Sequence, residues 1–366
     1  MKRTLLIVAA LGMLSTTAFA SRARYLSLSS FAVVEDQRET LVNPAKFNMF
    51  KNFAITEWGV AGNAVPRAEG GFALTAGSLV WGMYLGNNAL TPAENLGAAL
   101  NGRTGFMADN DRIELSVAGD MGIQWGATLY YSNGKDEAVI KTQKFNSLGL
   151  RLGAILMKDL ELYGDFDLKN TADAVVADAD AKFEGKPGIT LGAKYGMGEY
   201  KAYAEYAMSG WEVKKLGAAP ANDEKFDRKQ VVLGIGRKME IDNKAKLFGD
   251  IHLANMTEKG HDNTTTINDE FKTLALPVGA GMEVEALTWL VLRGSITQNF
   301  PILNSLEVKT AGVTVKSSMA AQSTTVNAGF ALNYGDLKVD GLFSSVAANQ
   351  LRFDNFGTNV AVSYWF

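Results

Sequence analysis

Apolar and polar residues alternate one by one along most of this chain. In the last ten residues, Val360, Val362, Tyr364 and Phe366 fall on one face and Asn359, Ala361 and Ser363 on the other. That is the period of two expected of a strand with one apolar side. The same unit recurs upstream: an alternating run, a tight turn, a second alternating run, then a longer polar connection. The spacing predicts hairpins from residues 69–76 with 79–85, 112–118 with 123–132, 148–156 with 160–168, 188–195 with 200–211, 227–239 with 245–256, 273–284 with 287–297 and 324–334 with 337–346. With 52–59 in front and the closing strand behind, the count is about sixteen, with fourteen still open.

Charge decides which side of these strands meets water. In residues 160–168 one face carries Leu160, Leu162, Gly164, Phe166 and Leu168, and the other Glu161, Tyr163, Asp165 and Asp167. Residues 245–256 set Leu247, Ile251 and Leu253 against Lys246, Asp250 and His252. Arg112 and Glu114, Arg151, Lys194, Lys201 and Glu205, Arg228, Arg293, and Lys338 with Asp340 fall on the polar faces of the other strands. A dry core would penalise each unpaired charge by several kcal/mol. The expected arrangement is therefore an all-β, closed antiparallel transmembrane barrel, with aliphatic residues in lipid and these charged residues lining a hydrated pore. A soluble β-sandwich makes the same alternation, but does not require the regular asymmetry of short turns and long connections seen here. The long connections are expected at 86–111, 133–144, 169–187, 214–226, 257–269, 298–323 and 347–355. Trp125, Tyr131, Tyr195 and Tyr334 are candidates for interfacial girdles.

The N-terminus strengthens this reading. Lys2 and Arg3, the apolar run 5–14 and Ala18-Phe19-Ala20 form the three zones of a secretory signal, so the mature chain is expected to begin at Ser21. The expected organisation is 1–20 signal peptide, 21–51 lead-in or lumen plug, and 52–366 barrel. The absence of cysteine suits an exported chain without a disulfide framework. With 37 glycines against 7 prolines, the composition is that of a sheet protein with tight turns. A net charge of −3 and the lack of a basic tract give no reason to expect nucleic acid as a partner.

Two stretches carry family resemblances. The terminal aromatic Phe366, with Tyr364 on the same face, resembles the last strand of bacterial outer-membrane β-barrels of the porin type. In those proteins this strand is read by the barrel-insertion machinery and pairs with the first. That resemblance implies export through the periplasm to the cell outer membrane of a Gram-negative bacterium, with outer-membrane lipid and lipopolysaccharide as surroundings. A homotrimer stays open, since trimeric porins exist and no stretch identifies an interface. Asn43-Pro44-Ala45, between a non-strand lead-in and the first strand, looks like the outer-membrane long-chain fatty-acid transporter family, whose N-terminal segment folds inside the barrel as a hatch. An ordinary proline turn explains the tripeptide equally well, and that family has fourteen strands.

Other chemistry is sparse. His252 shares an inward face with Asp250, but no nucleophile or second acid is placed beside them, so no catalytic residue is assigned and no enzyme is expected. Asp173, Asp178 and Asp180 lack the spacing of a calcium loop and read as a solvated acidic stretch. No metal or cofactor is expected. Residues 91–100 start like a helix, with Pro92 at its first position, which suggests that 86–111 folds in as a pore constriction. The leading expectation is a porin-like channel for passive diffusion of small hydrophilic solutes. The alternatives are a hatch-gated transporter of hydrophobic ligands and a structural or adhesive surface barrel.

Overall fold

The computed structural model describes residues 21–59, 67–87, 112–138, 141–157, 159–176, 179–216, 224–262, 267–310, 313–318, 323–345 and 359–366. The signal-sequence expectation for residues 1–20 and the constriction helix at 91–100 lie outside them. Among the described residues no helix is long and apolar enough to cross a membrane. The crossing is made by strands.

The strands are β1 (Phe53–Gly59), β2 (Arg67–Ala76), β3 (Leu79–Leu85), β4 (Ile113–Asp120), β5 (Gln124–Ala138), β6 (Lys141–Leu156), β7 (Leu160–Val176), β8 (Ala179–Met197) and β9 (Tyr200–Leu216). They continue as β10 (Glu224–Glu240), β11 (Ala245–Asp262), β12 (Ile267–Leu287), β13 (Leu290–Thr310), β14 (Val313–Ser318), β15 (Ser323–Tyr334), β16 (Leu337–Ser345) and β17 (Asn359–Trp365). Every neighbour pair is antiparallel, and β1 pairs with both β2 and β17, from Phe53 opposite Trp365 to Gly59 opposite Asn359. The sheet therefore closes and leaves no edge. β14 and β15 share one place: β14 pairs with the outer end of β13 and β15 with its inner end. The barrel is sixteen-stranded, as the alternation predicts.

Strands β5 to β13 run for 15 to 21 residues. About 9–11 tilted residues suffice to cross a bilayer, so this side of the wall continues well past the membrane. Here the sequence reading needs correction. Most of 133–144, 169–187, 257–269 and 298–323, expected as loops, is strand, as are residues 214–216 and 224–226 of the expected loop 214–226. Beyond the membrane the outer face meets water too and turns polar, while inward residues Phe145, Phe183, Trp211 and Val213 pack into a buried cluster and the hydrogen-bond ladder continues. Charge pairs along and across the strands occupy that outer face, such as Glu184 beside Lys182 of its own strand and Lys214 of β9, and Glu270 beside Lys272 of its own strand and Lys259 of β11. Pro187, which has no N–H to donate, is accommodated by a register shift between Lys186 and Ile189.

The two faces sort as the alternation requires. Trp58, Phe72, Leu74, Trp81, Leu115 and Leu129 are exposed on the outside, whereas Glu57, Glu69, Glu114, Arg151 and Asp165 are buried inside. Tyr195, Trp289, Tyr334 and Tyr364 are exposed beside the short turns or the chain end, which builds one aromatic belt.

Candidate functional site

The interior of the barrel is occupied by the chain's own N-terminal segment. Helix α1 (Arg22–Ser27) is followed by two 3₁₀ turns, Gln37–Leu41 and Pro44–Asn48. Each begins with a polar cap: Ser21, Asp36 and Asn43 accept from the backbone N–H of Arg24, Arg38 and Ala45. These capped turns satisfy backbone groups that strand pairing does not reach.

Four cations of the segment meet carboxylates of the wall. Arg22 donates through its backbone N to Glu57 Oε1 (2.5 Å) and through Nη2 to Glu69 Oε2 (3.1 Å). Arg38 Nη1 donates to Glu57 Oε2 (2.7 Å) and Glu69 Oε1 (2.8 Å), while the Tyr84 hydroxyl also donates to Glu57 (2.6 Å). On the β12 side, Arg24 Nε reaches Glu283 Oε2 at 2.8 Å. Lys46 Nζ donates to Glu161 Oε1 at 2.8 Å. The polarity reverses at Glu39, which accepts from Lys194 at 2.7 Å and lies 3.3 Å from Lys46. Burial opposes ionisation of Glu39, but Lys194, Lys46 and Lys201 outweigh it and bring its pKa down to about 2. Asp36 goes the other way: burial pushes it up to about 7 despite Arg24 at 3.6 Å.

Apolar residues and glycines complete the fit. Leu41, Phe47 and Phe50 pack with Phe53, Ile55, Val80 and Tyr84, and a second cluster joins Leu28, Phe31, Val33 and Val34 to Phe248. Asn43-Pro44-Ala45 lies against Gly126 of β5 and Gly153 of β6, which face each other across the ladder. A Cβ at Gly126 would sit 2.3 Å from the Pro44 carbonyl carbon, and one at Gly153 would sit 1.9 Å from Asn43 Oδ1. Phe31 fits against Gly279, where a Cβ would come within 2.4 Å of its ring. The tripeptide thus occupies a complementary seat inside the barrel.

The charged residues assigned to a pore from sequence lie on inward-facing strand positions, except Arg112, which is buried just before β4. Arg151, fully buried, joins Glu114 (2.7 Å) to Asp165 (3.2 Å), and the Tyr130 hydroxyl also donates to Asp165. Arg112 lies over the Tyr130 ring, and Asp167 is buried. Arg293 joins Glu283 (2.7 Å) to Asp340 (2.6 Å), with Lys338 at 3.9 Å from Asp340. Lys201 donates to Glu161, and Tyr163 to Glu205. Asp250 lies 2.9 Å from His252 Nδ1 and accepts from Tyr203 at the same distance. Arg228 pairs with Glu258 at 3.6 Å, and Lys246 is half-buried. Most of these groups face each other or residues 21–50. Tyr364 and Phe366 are exposed at the barrel end, with Phe366 N donating to Asn52 O.

Sequence reading missed Glu57, Glu69, Glu283 and the plug cations Arg22, Arg24, Arg38 and Lys46. The inward parity of Glu57 within β1 and of Glu283 within β12 would have found the wall acids. Their partners are up to 259 residues away in the chain, which no local pattern reports.

Fold and occupied lumen together define a plugged transmembrane β-barrel. No protein-family model matches the chain, and no curated protein sequence matches it. Among solved structures it is similar to the toluene transporter TodX of P. putida, at 10% identity over 95% of this chain and 99% of that one, with a TM-score of 0.40. It is also similar to OmpT, an outer membrane protein of Vibrio cholerae, at 10% identity over 86% and 96% of the two chains and a TM-score of 0.38. For the ferric citrate transporter FecA the identity is 9%, the coverage 84% and 61%, and the TM-score 0.44. Likenesses this distant concern the barrel fold alone.

Proposed function

We propose that this protein is an outer-membrane passage closed by its own N-terminal segment and opened when that segment moves, rather than a permanently open pore. The observation that supports this reading is the seating of residues 21–50 against opposite sides of the wall at once. Arg22 and Arg38 engage β1 and β2, Pro44 meets β5, Lys46 engages β7, and Arg24 engages β12. A sixteen-stranded barrel without such a filler encloses an aqueous channel. With the segment in place, diffusion of hydrophilic solutes is blocked where it crosses.

The ligand we favour is hydrophobic. On the outside of β17 and β1 to β4 a groove of about 950 Å³ is lined by Trp58, Phe72, Leu85, Ile113 and Tyr364, and it also touches the inward residues Glu69 and Arg112. Gly70 and Gly71 form part of it, each so close to neighbouring backbone that a Cβ would clash (2.5 Å from Ile55 O; 2.3 Å from Met83 O). An apolar groove that reaches inward-facing charged residues suits a molecule passing between lipid and lumen better than it suits an ion.

Planar-bilayer recording tests the gating. The chain from Ser21 should be nearly silent, and deletion of residues 21–50 should produce large conductance steps. A second variant guards against misfolding. Ser29 Oγ and Ser295 Oγ lie 2.7 Å apart, and the chain has no cysteine of its own, so Ser29→Cys with Ser295→Cys can tether the segment to β13. The oxidised tether should lower any residual opening, and reduction should restore it. Large steady conductance in the untouched protein, or no gain on deletion, would establish the open porin or the inert surface barrel instead.

A further inference from the structure

The outward face of the tall wall changes character within one row of residues. On β10 the exposed positions Ile235, Leu233 and Val231 are apolar, and the next, Lys229, is a cation. On β11 the outward Ile251 and Leu253 give way to Asn255, Thr257 and Lys259, and on β12 Leu276 and Leu274 give way to Lys272 and Glu270. The strand registers align these changes. Val231, Asn255 and Leu274 lie side by side, and so do Lys229, Thr257 and Lys272 in the row above. Apolar side chains below this line meet hydrocarbon, so the line marks the height of the lipid headgroups.

Three exposed lysines surround Thr257 at that height. Lys229 and Lys272 flank it on the neighbouring strands, about 10 Å apart at twice the usual strand spacing. Lys259 projects from the same face two residues further on, about 7 Å along β11. Lys259 and Lys272 share a single carboxylate, Glu270, at 3.2 and 3.1 Å. Among the described residues no carboxylate lies within ion-pair distance of Lys229. Asp227 in the next row is held by Lys186, and the neighbouring Glu258 faces inward to Arg228. The patch is therefore cationic, on a chain whose net charge is −3.

We propose that Lys229, Lys259 and Lys272, with the Thr257 hydroxyl, bind the phosphorylated head of a lipopolysaccharide molecule in the outer leaflet, whose acyl chains lie along Val231 and Leu253. Lysine meets phosphate as a point charge on a flexible stem, so three ammonium groups at this spacing converge on one headgroup. Height selects a lipid over a soluble anion. The patch is open to water, where a free phosphate gains little, whereas a lipid held by its chains presents its phosphate at this row at high effective concentration. The tall wall stands on the side of the long connections, which is the outer side of a bacterial barrel. The site is on the outside of the wall and does not depend on where the plug sits.

Fluorescence anisotropy of labelled lipopolysaccharide, titrated with the detergent-solubilised chain from Ser21, tests the proposal. The comparison is the same lipopolysaccharide stripped of phosphate by alkaline phosphatase. Saturable binding of the phosphorylated material is expected, and loss of phosphate should weaken it at least about tenfold. Lys229→Gln, Lys259→Gln and Lys272→Gln together should do the same, at roughly fivefold for each lysine removed from an anionic lipid surface. Arginine at all three positions should retain binding. Lys182→Gln, Lys214→Gln and Lys225→Gln remove the same charge from higher on the wall, Lys225 lying about 13 Å further along β10 than Lys229. That variant should change binding by less than about twofold, because the intervening distance exceeds a Debye length. Heat-modifiable migration confirms that each variant forms the barrel. Equal binding of the phosphate-free material, equal weakening by the two triple variants, full competition by millimolar inorganic phosphate, or no saturable binding would each overturn the proposal.

Discussion

Adding a single methyl group at Gly126 should drive the plug from its seat while leaving the barrel closed. The new Cβ would lie 2.3 Å from the Pro44 carbonyl carbon, 2.4 Å from its oxygen and 2.6 Å from Ala45 N. All three are backbone atoms, so no side-chain rotation relieves the contact. Either the wall or the plug must shift. Gly126 is held in the ladder on both sides, opposite Ala118 of β4 and Gly153 of β6, whereas Pro44 opens a five-residue 3₁₀ turn. The turn is the softer partner. Overpacking costs typically 1–3 kcal/mol, and a backbone obstacle belongs at the upper end, about 3 kcal/mol. At about 1.4 kcal/mol per factor of ten, the undocked fraction should rise by roughly two orders of magnitude. The assay is the rate at which an impermeant maleimide labels Thr40→Cys, a buried plug position in a chain with no native cysteine. Gly249→Ala, where an added Cβ has nothing within 4 Å, is the control. The reasoning fails if Gly126→Ala labels no faster than the parent with its sheet intact, or if Gly249→Ala accelerates labelling equally.

Replacing both Glu57 and Glu69 by Gln leaves the Arg38 guanidinium buried without a carboxylate, which should weaken docking by about 3–5 kcal/mol; adding Arg38→Met should recover part of that in the same labelling assay. Docking should also depend on pH with a defined sign. Asp36, raised by burial from 3.8 to about 7, holds its proton more firmly docked than undocked, so docking weakens as pH rises from about 4 to about 7. Glu39, lowered from 4.5 to about 2 against the effect of its burial, contributes docking strength that is lost as pH falls below about 4.5. Labelling, normalised to an exposed cysteine because thiol ionisation itself speeds maleimide addition as pH rises, should therefore be slowest near pH 4, and Asp36→Asn should remove its rise up to about pH 7. Deleting Phe366 should lower the yield of heat-modifiable barrel in membranes, because the hydrogen bond from its N–H to Asn52 O fixes the end of β17 beside the start of β1.

What the sequence made legible was whatever repeats locally. Alternation placed sixteen strands and sorted Glu161, Asp165, Asp250 and Arg293 to the inside, because side-chain direction in a strand depends only on parity. It misjudged the wall above the membrane, where residues such as Thr257 to His261 are polar on both faces and strand cannot be told from loop by hydropathy. β14 was missed for a different reason: Val313 to Ser318 alternates over only its first four residues, too short a run to stand out inside a connection expected as loop. Asn43-Pro44-Ala45 marked the plug, but its receptor is Gly126 and Gly153, and a glycine on a polar face carries no sequence signal beyond the absence of a side chain.

The balance of forces on the plug bears on whether it can move. Its apolar anchors Leu28, Phe31, Leu41, Phe47 and Phe50 favour the docked state in proportion to the area they bury. Its ion pairs behave differently. Pairing inside the lumen recovers little more than the hydration both partners lose, so separating an intact pair into water is far less costly than deleting one member. If the segment withdraws and water enters, Arg38, Glu57 and Glu69 all become hydrated together, whereas a dry apolar plug of the same size would oppose withdrawal over its whole surface. Charge pairing also fixes position: Arg22, Arg24, Arg38 and Lys46 find their carboxylates on different strands, so a shifted plug would leave several charges unmatched at once. A seat that is specific in register yet loses little on full hydration is suited to a segment that must return to the same place after each opening.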